Sequence, residues 1–233
     1  MPRVPVSLKH RTGLTFNGSN TSVIAPGSFI VPTAAFSMAL WYKPNVIAVN
    51  DRIVDQQDSG PEDGFSIVHS VANSPQVQFV IRNGATSVVA INSTKMRRGQ
   101  WNLIVATFET NSAKLYVNAV QEGATDTVCT MTAPSVALSI GRRSASASNF
   151  STGRMKDFAM FSKVLSIDEI EDLYHGDRDP SDIGSCDIWY KLGETSGTTA
   201  VDSSGNGRDG TIANISAFTE SSVRSVAGTR TVA

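Results

Sequence analysis

Short runs in which apolar and polar residues alternate, each closed by turn formers, recur along most of this chain, and a period of two commits it to β-structure. Residues 36–43 set Phe36, Met38, Leu40 and Tyr42 against Ser37, Ala39 and Trp41 before Pro44-Asn45 ends the run. Comparable runs occupy 52–55, 64–69, 76–82, 86–92, 101–109, 113–118, 136–141, 155–161 and 187–194. Each has one face to bury, and many short strands of this kind stack as a sandwich of two antiparallel sheets. Asn83-Gly84, between two of them, supplies the positive φ angles of a type I′ hairpin turn.

One segment changes period. In SIDEIEDLYHG at 166–176, Ile167, Ile170, Leu173 and Tyr174 share one face at helical spacing. Ser166 followed three positions later by Glu169 is a capping box, and Gly176 can take the left-handed conformation that ends a helix. This predicts one helix of about three turns lying over an edge or end of the sandwich.

At 233 residues the chain can bury a core that needs neither disulfide nor metal. Its 20 basic and 21 acidic residues give a net charge of −1, which removes the long-range pull toward nucleic acid or an anionic membrane. The Arg97-Arg98 and Arg142-Arg143 pairs are too short to reverse this. No apolar run approaches the roughly 18 residues of a membrane-spanning helix, and residues 1–16 lack the apolar stretch of a secretory signal peptide. Cys129 and Cys186, remote from each other and outside any CxxC motif, read as reduced thiols.

Catalytic chemistry finds little purchase. A glucanase needs two carboxylates facing each other, about 5–5.5 Å apart for a retaining mechanism. The dense acidic group Asp168, Glu169, Glu171 and Asp172 falls instead on the predicted helix, so no enzyme is expected. Gly205, Gly207 and Gly210 fit G-x-G-x-x-G in letters only, because β-branched TIANIS follows where a helix is required. His10, His69 and His175 sit in different elements and make neither triad nor zinc cluster. Rings that could stack on a sugar are Trp41, Tyr42, Trp101, Tyr116, Trp189 and Tyr190. Neighbours on a strand point to opposite faces, so the 41/42 and 189/190 pairs each offer at most one exposed ring, and core packing is the competing use.

The ordered pieces GLTFNGSNTSVIAP, FSMALWYKP, QWNLIVATFETNSAKLYVNAVQ, ALSIGRR and GRMKDFAMFSKVLSIDEIEDLYHG resemble the laminin-G-like, concanavalin A-like lectin/glucanase jelly roll. Phe16-Asn17-Gly18, Trp41 to Pro44, Gly153, Asp157, Leu165-Ser166 and Leu173-Tyr174 carry the likeness. The resemblance implies an all-β concanavalin A-like (laminin-G-like) jelly-roll sandwich of two antiparallel sheets with one short helix. Glu194 to Ile212, with its DSSGNG turn, begins the domain in the familiar arrangement but here follows the helix. The closing strand would therefore be supplied by the C-terminal segment 187–212, completing a core of 13–176 within one domain at 13–216. Arms at 1–12 and 217–233 flank it.

That late placement resembles laminin-G-like proteins of tailed bacteriophages. It implies a non-enzymatic bacteriophage virion protein, on capsid or tail, acting by protein–protein adhesion to other virion proteins and as a homo-oligomer. The alternative is a lectin-like module binding host-surface glycans. The resemblance also implies calcium held by oxygen ligands, with Asp202, Asn206 and Asp157 as the positions. The competing use of Asp202 and Asn206 is to cap tight turns through their own backbone.

Overall fold

The computed structural model describes residues 13–215 except Val49, Pro61, Ala72, Asn73 and Ala85; the expected arms at 1–12 and 217–233 lie outside the described residues. In chain order the first strands are β1 (Leu14–Asn17), β2 (Ser22–Ile24), β3 (Ala35–Pro44), β4 (Arg52–Gln57) and β5 (Gly64–His69). Then come β6 (Val77–Asn83), β7 (Thr86–Asn92), β8 (Asn102–Glu109), β9 (Ser112–Val117) and β10 (Val120–Asp126). The last are β11 (Ser139–Ile140), β12 (Thr152–Phe161), β13 (Cys186–Tyr190), β14 (Thr199–Ala200) and β15 (Gly210–Ala213), with helix α1 (Ile167–His175) between β12 and β13. Among the described residues no helix is long and apolar enough to cross a membrane.

Two antiparallel sheets face each other. One runs β1-β12-β3-β8-β9-β10 with β13 also on β12; the other runs β14-β15-β2-β11-β4-β5-β6-β7. The alternation read from the sequence does the work: β3 sends Phe36, Met38, Leu40 and Tyr42 into the space between the sheets and turns Ala39 and Trp41 outward. Phe36 anchors that core, with ring centroids 4.8 Å from Phe65, 5.4 Å from Phe108 and 6.5 Å from Phe79. Contacts between tilted and edge-on rings of this kind add to the burial of apolar area.

A second, smaller core lies on the outer face of the seven-stranded sheet. There Ile170 and Leu173 of α1, with Leu165 and Ile183, pack on Ala39, Val105, Ala159 and Phe161. The helix starts and stops as the sequence predicts, with the Ser166 hydroxyl accepting from the Glu169 N–H, the Glu169 carboxylate accepting from the Ser166 N–H, and Gly176 at φ +72°. Ile167, expected on the buried stripe, is exposed instead, and Ile170 and Leu173 carry the buried face.

The C-terminal segment enters both sheets. β13 lies on β12 at Phe158–Phe161, along the same edge that β1 covers at Thr152–Met155, while the β14-β15 hairpin adds to the other sheet beside β2. The expected strand at 187–194 stops at Tyr190, and Leu192 turns the chain at φ +55°. Two further differences have local causes. At the β6–β7 hairpin Gly84 takes φ +67°, whereas Asn83 stays in the ladder opposite Thr86 and uses its amide on Thr130 and Thr132. β10 escaped notice because VQEGATD has no alternating apolar face; only Glu122 in it is buried.

Candidate functional site

The DSSGNG turn is an internally satisfied knot. Asp202 Oδ1 accepts from the N–H groups of Trp189 (3.0 Å) and Ser204 (2.9 Å), and Oδ2 accepts from the Arg208 N–H and the Ser204 hydroxyl, both at 2.9 Å. Burial alone would raise this carboxyl, but the N–H groups of Trp189, Arg208 and Ser204 outweigh it and hold it below the usual carboxylate range. Asn206 presents its NH₂ to the Cys186 carbonyl at 2.8 Å and the Asp187 carbonyl at 3.2 Å. These residues tie the turn to β13. A cation bound at this turn would have to displace the four donors that Asp202 already accepts from. Gly205 and Gly207 take φ +92° and +66° inside this turn, so the G-x-G-x-x-G spacing serves a tight loop.

Asp157, the third position, belongs to a different feature. Lys156 pairs with Trp41 and Ala159 with Ala39, so two residues of β12 face one of β3, and the bulge puts Asp157 at φ +50°. It falls where the outer neighbour of β12 changes from β1 to β13, and its N–H donates to the Lys191 carbonyl at 3.1 Å. Bulges with non-glycine residues in the left-handed region recur beside functional sites, where they re-aim a side chain.

This bulge lines a small open cleft between the seven-stranded sheet and the end of α1, walled by Trp41, Lys156, Asp157, Arg178, Asp179 and Pro180. Lys156 is only 2% exposed, with Nζ 5.4 Å from the Trp41 ring centroid, 5.3 Å from that of Trp101 and 3.9 Å from Asp157 Oδ2. Desolvation lowers the Lys156 ammonium below its ordinary range, while the Asp157 carboxylate works against that shift. On the rim, Arg178 meets Asp172 Oδ2 at 3.5 Å and donates to the Asp182 carbonyl. The cleft thus offers cationic donors and carboxylate acceptors beside apolar walls, the set that orients polyhydroxylated ligands.

The six rings are mostly committed to packing. Tyr42 and Tyr190 are fully buried, Trp189, Trp41 and Tyr116 nearly so, and only Trp101 is half-buried. Trp41 stacks on Tyr174 at 5.9 Å besides carrying Lys156. The helix acids are likewise in local use, Glu169 in the cap and on Lys163, Asp172 on Arg178. Cys129 and Cys186 are free, and burial first, then Asp202 and Asp187, push the Cys186 thiol up to about 12.

A polar group on the outer face of the eight-stranded sheet was missed in the sequence. Arg52 Nη1 donates to Ser66 Oγ (2.7 Å) and Gln57 Oε1 (3.3 Å) and lies 3.5 Å from Asp55 Oδ2. Glu62 bridges Arg82 (2.5 Å) and Arg143 (3.2 Å). Asp55 is fully buried and receives the Ser144 N–H at 2.7 Å; desolvation raises its carboxyl even against Arg52. Arg52, Asp55 and Arg82 come from strands and Glu62 and Arg143 from loops, so folding supplies the adjacency and no local signal could have found it.

Sheet order, register and outer-face helix define a two-sheet jelly roll of the lectin type. The description of the concanavalin A-like lectin/glucanases superfamily matches residues 17–171, and the chain belongs to that family. No curated protein matches it. Among solved structures it is similar to a Bacteroides ovatus protein described as a candidate carbohydrate-binding protein, with TM-score 0.66 and 14% identity over 89% of this chain and 60% of that one. It is also similar to a heptameric SAP-like pentraxin of Limulus polyphemus (TM-score 0.51, 14% identity, 69% of this chain and 80% of that one). A third is the botulinum neurotoxin serotype D binding domain (TM-score 0.52, 15% identity, 70% and 42%). The chain spans only 60% of the Bacteroides chain, and likeness at these identities speaks to the fold.

Proposed function

We propose that this protein is a non-enzymatic carbohydrate-binding domain whose combining site is the cleft between β12 and α1. The observation that carries the reading is the β12 bulge, which uses backbone strain to set Asp157 beside buried Lys156 in an open cleft. A saccharide hydroxyl both donates and accepts, so the adjacent ammonium and carboxylate suit it, and Leu103, Leu173 and Pro180 of the lining supply apolar surface for ring C–H groups. A lectin-type family supports the same reading by analogy.

A place in a bacteriophage virion is the finer part of the proposal. The particle would use the domain to touch host glycans, and attachment to other virion proteins would run through 1–12 and 217–233. The test is a glycan array with the full chain, followed by titration of any hit against Asp157→Asn and Arg178→Ala. Loss of affinity by tenfold or more in both, with melting unchanged, is expected; binding that ignores both variants places the site elsewhere, and binding to no glycan sinks the reading.

A further inference from the structure

On the opposite side of the sandwich from that cleft, the arginine-rich group carries demands that the protein itself leaves unmet. Gln57, Gly64 and Arg82 are successive partners across β4, β5 and β6, so the middle of this row bears no side chain. Around this row Arg52, Arg82 and Arg143 set three guanidiniums against the two carboxylates of Asp55 and Glu62. Three buried donors in the group, Arg52 Nε, Arg143 Nε and Gln57 Nε2, have no hydrogen-bond acceptor; on the acceptor side only Asp55 Oδ2 lacks a hydrogen-bond donor. Gln57 is 2% exposed, so its amide is not left to bulk solvent. A buried donor without an acceptor is destabilising, and a cluster of them in a native fold calls for an outside acceptor.

We propose that this group is a second binding site, for an oxyanion carried on a saccharide. Excess donors and one surplus positive charge select a ligand rich in acceptors, and guanidiniums match a planar carboxylate or a sulfate through paired N–H donors. Glu62, partly exposed and shared by two arginines, holds the place the ligand oxyanion takes. Removing its charge therefore strengthens binding, the opposite of what a purely structural ion bridge would do. That the carrier is a sugar rests on the glycan-binding reading; the oxyanion site does not.

The experiment is calorimetric titration of the full chain with glucuronate, glucose 6-sulfate, glucose and inorganic sulfate, repeated on Glu62→Gln and Arg143→Gln, with thermal melting of each variant. Expected is binding of glucuronate or glucose 6-sulfate at least tenfold tighter than glucose, tightening threefold or more in Glu62→Gln and weakening about tenfold in Arg143→Gln. Whichever acidic sugar binds identifies the oxyanion as carboxylate or sulfate. Inorganic sulfate bound with these variant effects, and neither sugar bound, upholds the oxyanion site and removes the saccharide. Glu62→Gln that melts like the parent yet binds no more tightly, or no binding of any anion, overturns the proposal, and the cleft variants Asp157→Asn and Arg178→Ala report separately on the first site.

Discussion

Tyr42 Oη lies 3.1 Å from His69 Nε2 and joins the two sheets through the core, β3 on one side and β5 on the other. The Gln76 carbonyl, 3.0 Å from Nδ1, can only accept, so the neutral ring carries its proton on Nδ1 and takes the Tyr42 hydroxyl at Nε2. That hydroxyl has a single proton, which the Thr152 carbonyl at 2.8 Å shares with the ring nitrogen.

Burial outweighs the Gln76 carbonyl and lowers the His69 imidazole from 6.5 to about 4. The unfolded chain takes up a proton on this ring below pH 6.5 while the folded protein does not, so stability falls as pH drops from 6.5 toward 4 and levels below that. The loss from this ring is about 3 kcal/mol at roughly 1.4 kcal/mol per unit. Urea unfolding at pH 7.0 and 4.5 measures it, and a His69→Phe protein should show that much less slope; an identical slope removes the assignment.

Asp202→Ala orphans four donors in the turn that ties β14 and β15 to β13. A loss of about 2–4 kcal/mol follows, seen as a lower midpoint in urea. Millimolar calcium or chelator should leave the parent protein's melting temperature unchanged; a calcium-dependent rise would show that the turn takes a cation after all.

Phe36→Ala leaves a void at the meeting point of Phe65, Phe79 and Phe108. The cost is about 3–5 kcal/mol, the range of large-to-small changes in rigid cores, whereas Phe36→Leu should cost well under half of that. Equal costs for the two would mean the aromatic group is not packed as described.

Ser166→Ala removes one half of the capping box on α1, and about 1 kcal/mol with it. Because the helix lies on the outer face and not between the sheets, amide exchange in 167–175 should accelerate more than exchange in β3 or β8. Uniform acceleration would show that the helix is as integral as the strands.

Much of the architecture was legible locally. Period-two runs mark β3 through β9 and β12, and capping chemistry marks α1. β10 left no trace, since an edge strand with polar residues on both sides looks like loop. In the candidate sites, Asp157 could be named from a motif, but the bulge that aims it arises in the pairing of β12 with β3, between residues far apart in the sequence. Arg52, Asp55, Glu62, Arg82 and Arg143 were equally silent: individually they read as surface charge, and only folding supplies the adjacency.

Division of the last strands between both layers bears on how the molecule is made. While a ribosome is still producing residues 186–213, β12 and β2 each present an open flank of unpaired amides, and the nascent chain cannot seal either one. Contacts of such long sequence separation form slowly, and flanks of that kind recruit other chains. Truncation or stalling upstream of Cys186 should therefore yield clumped polypeptide and not a smaller soluble product.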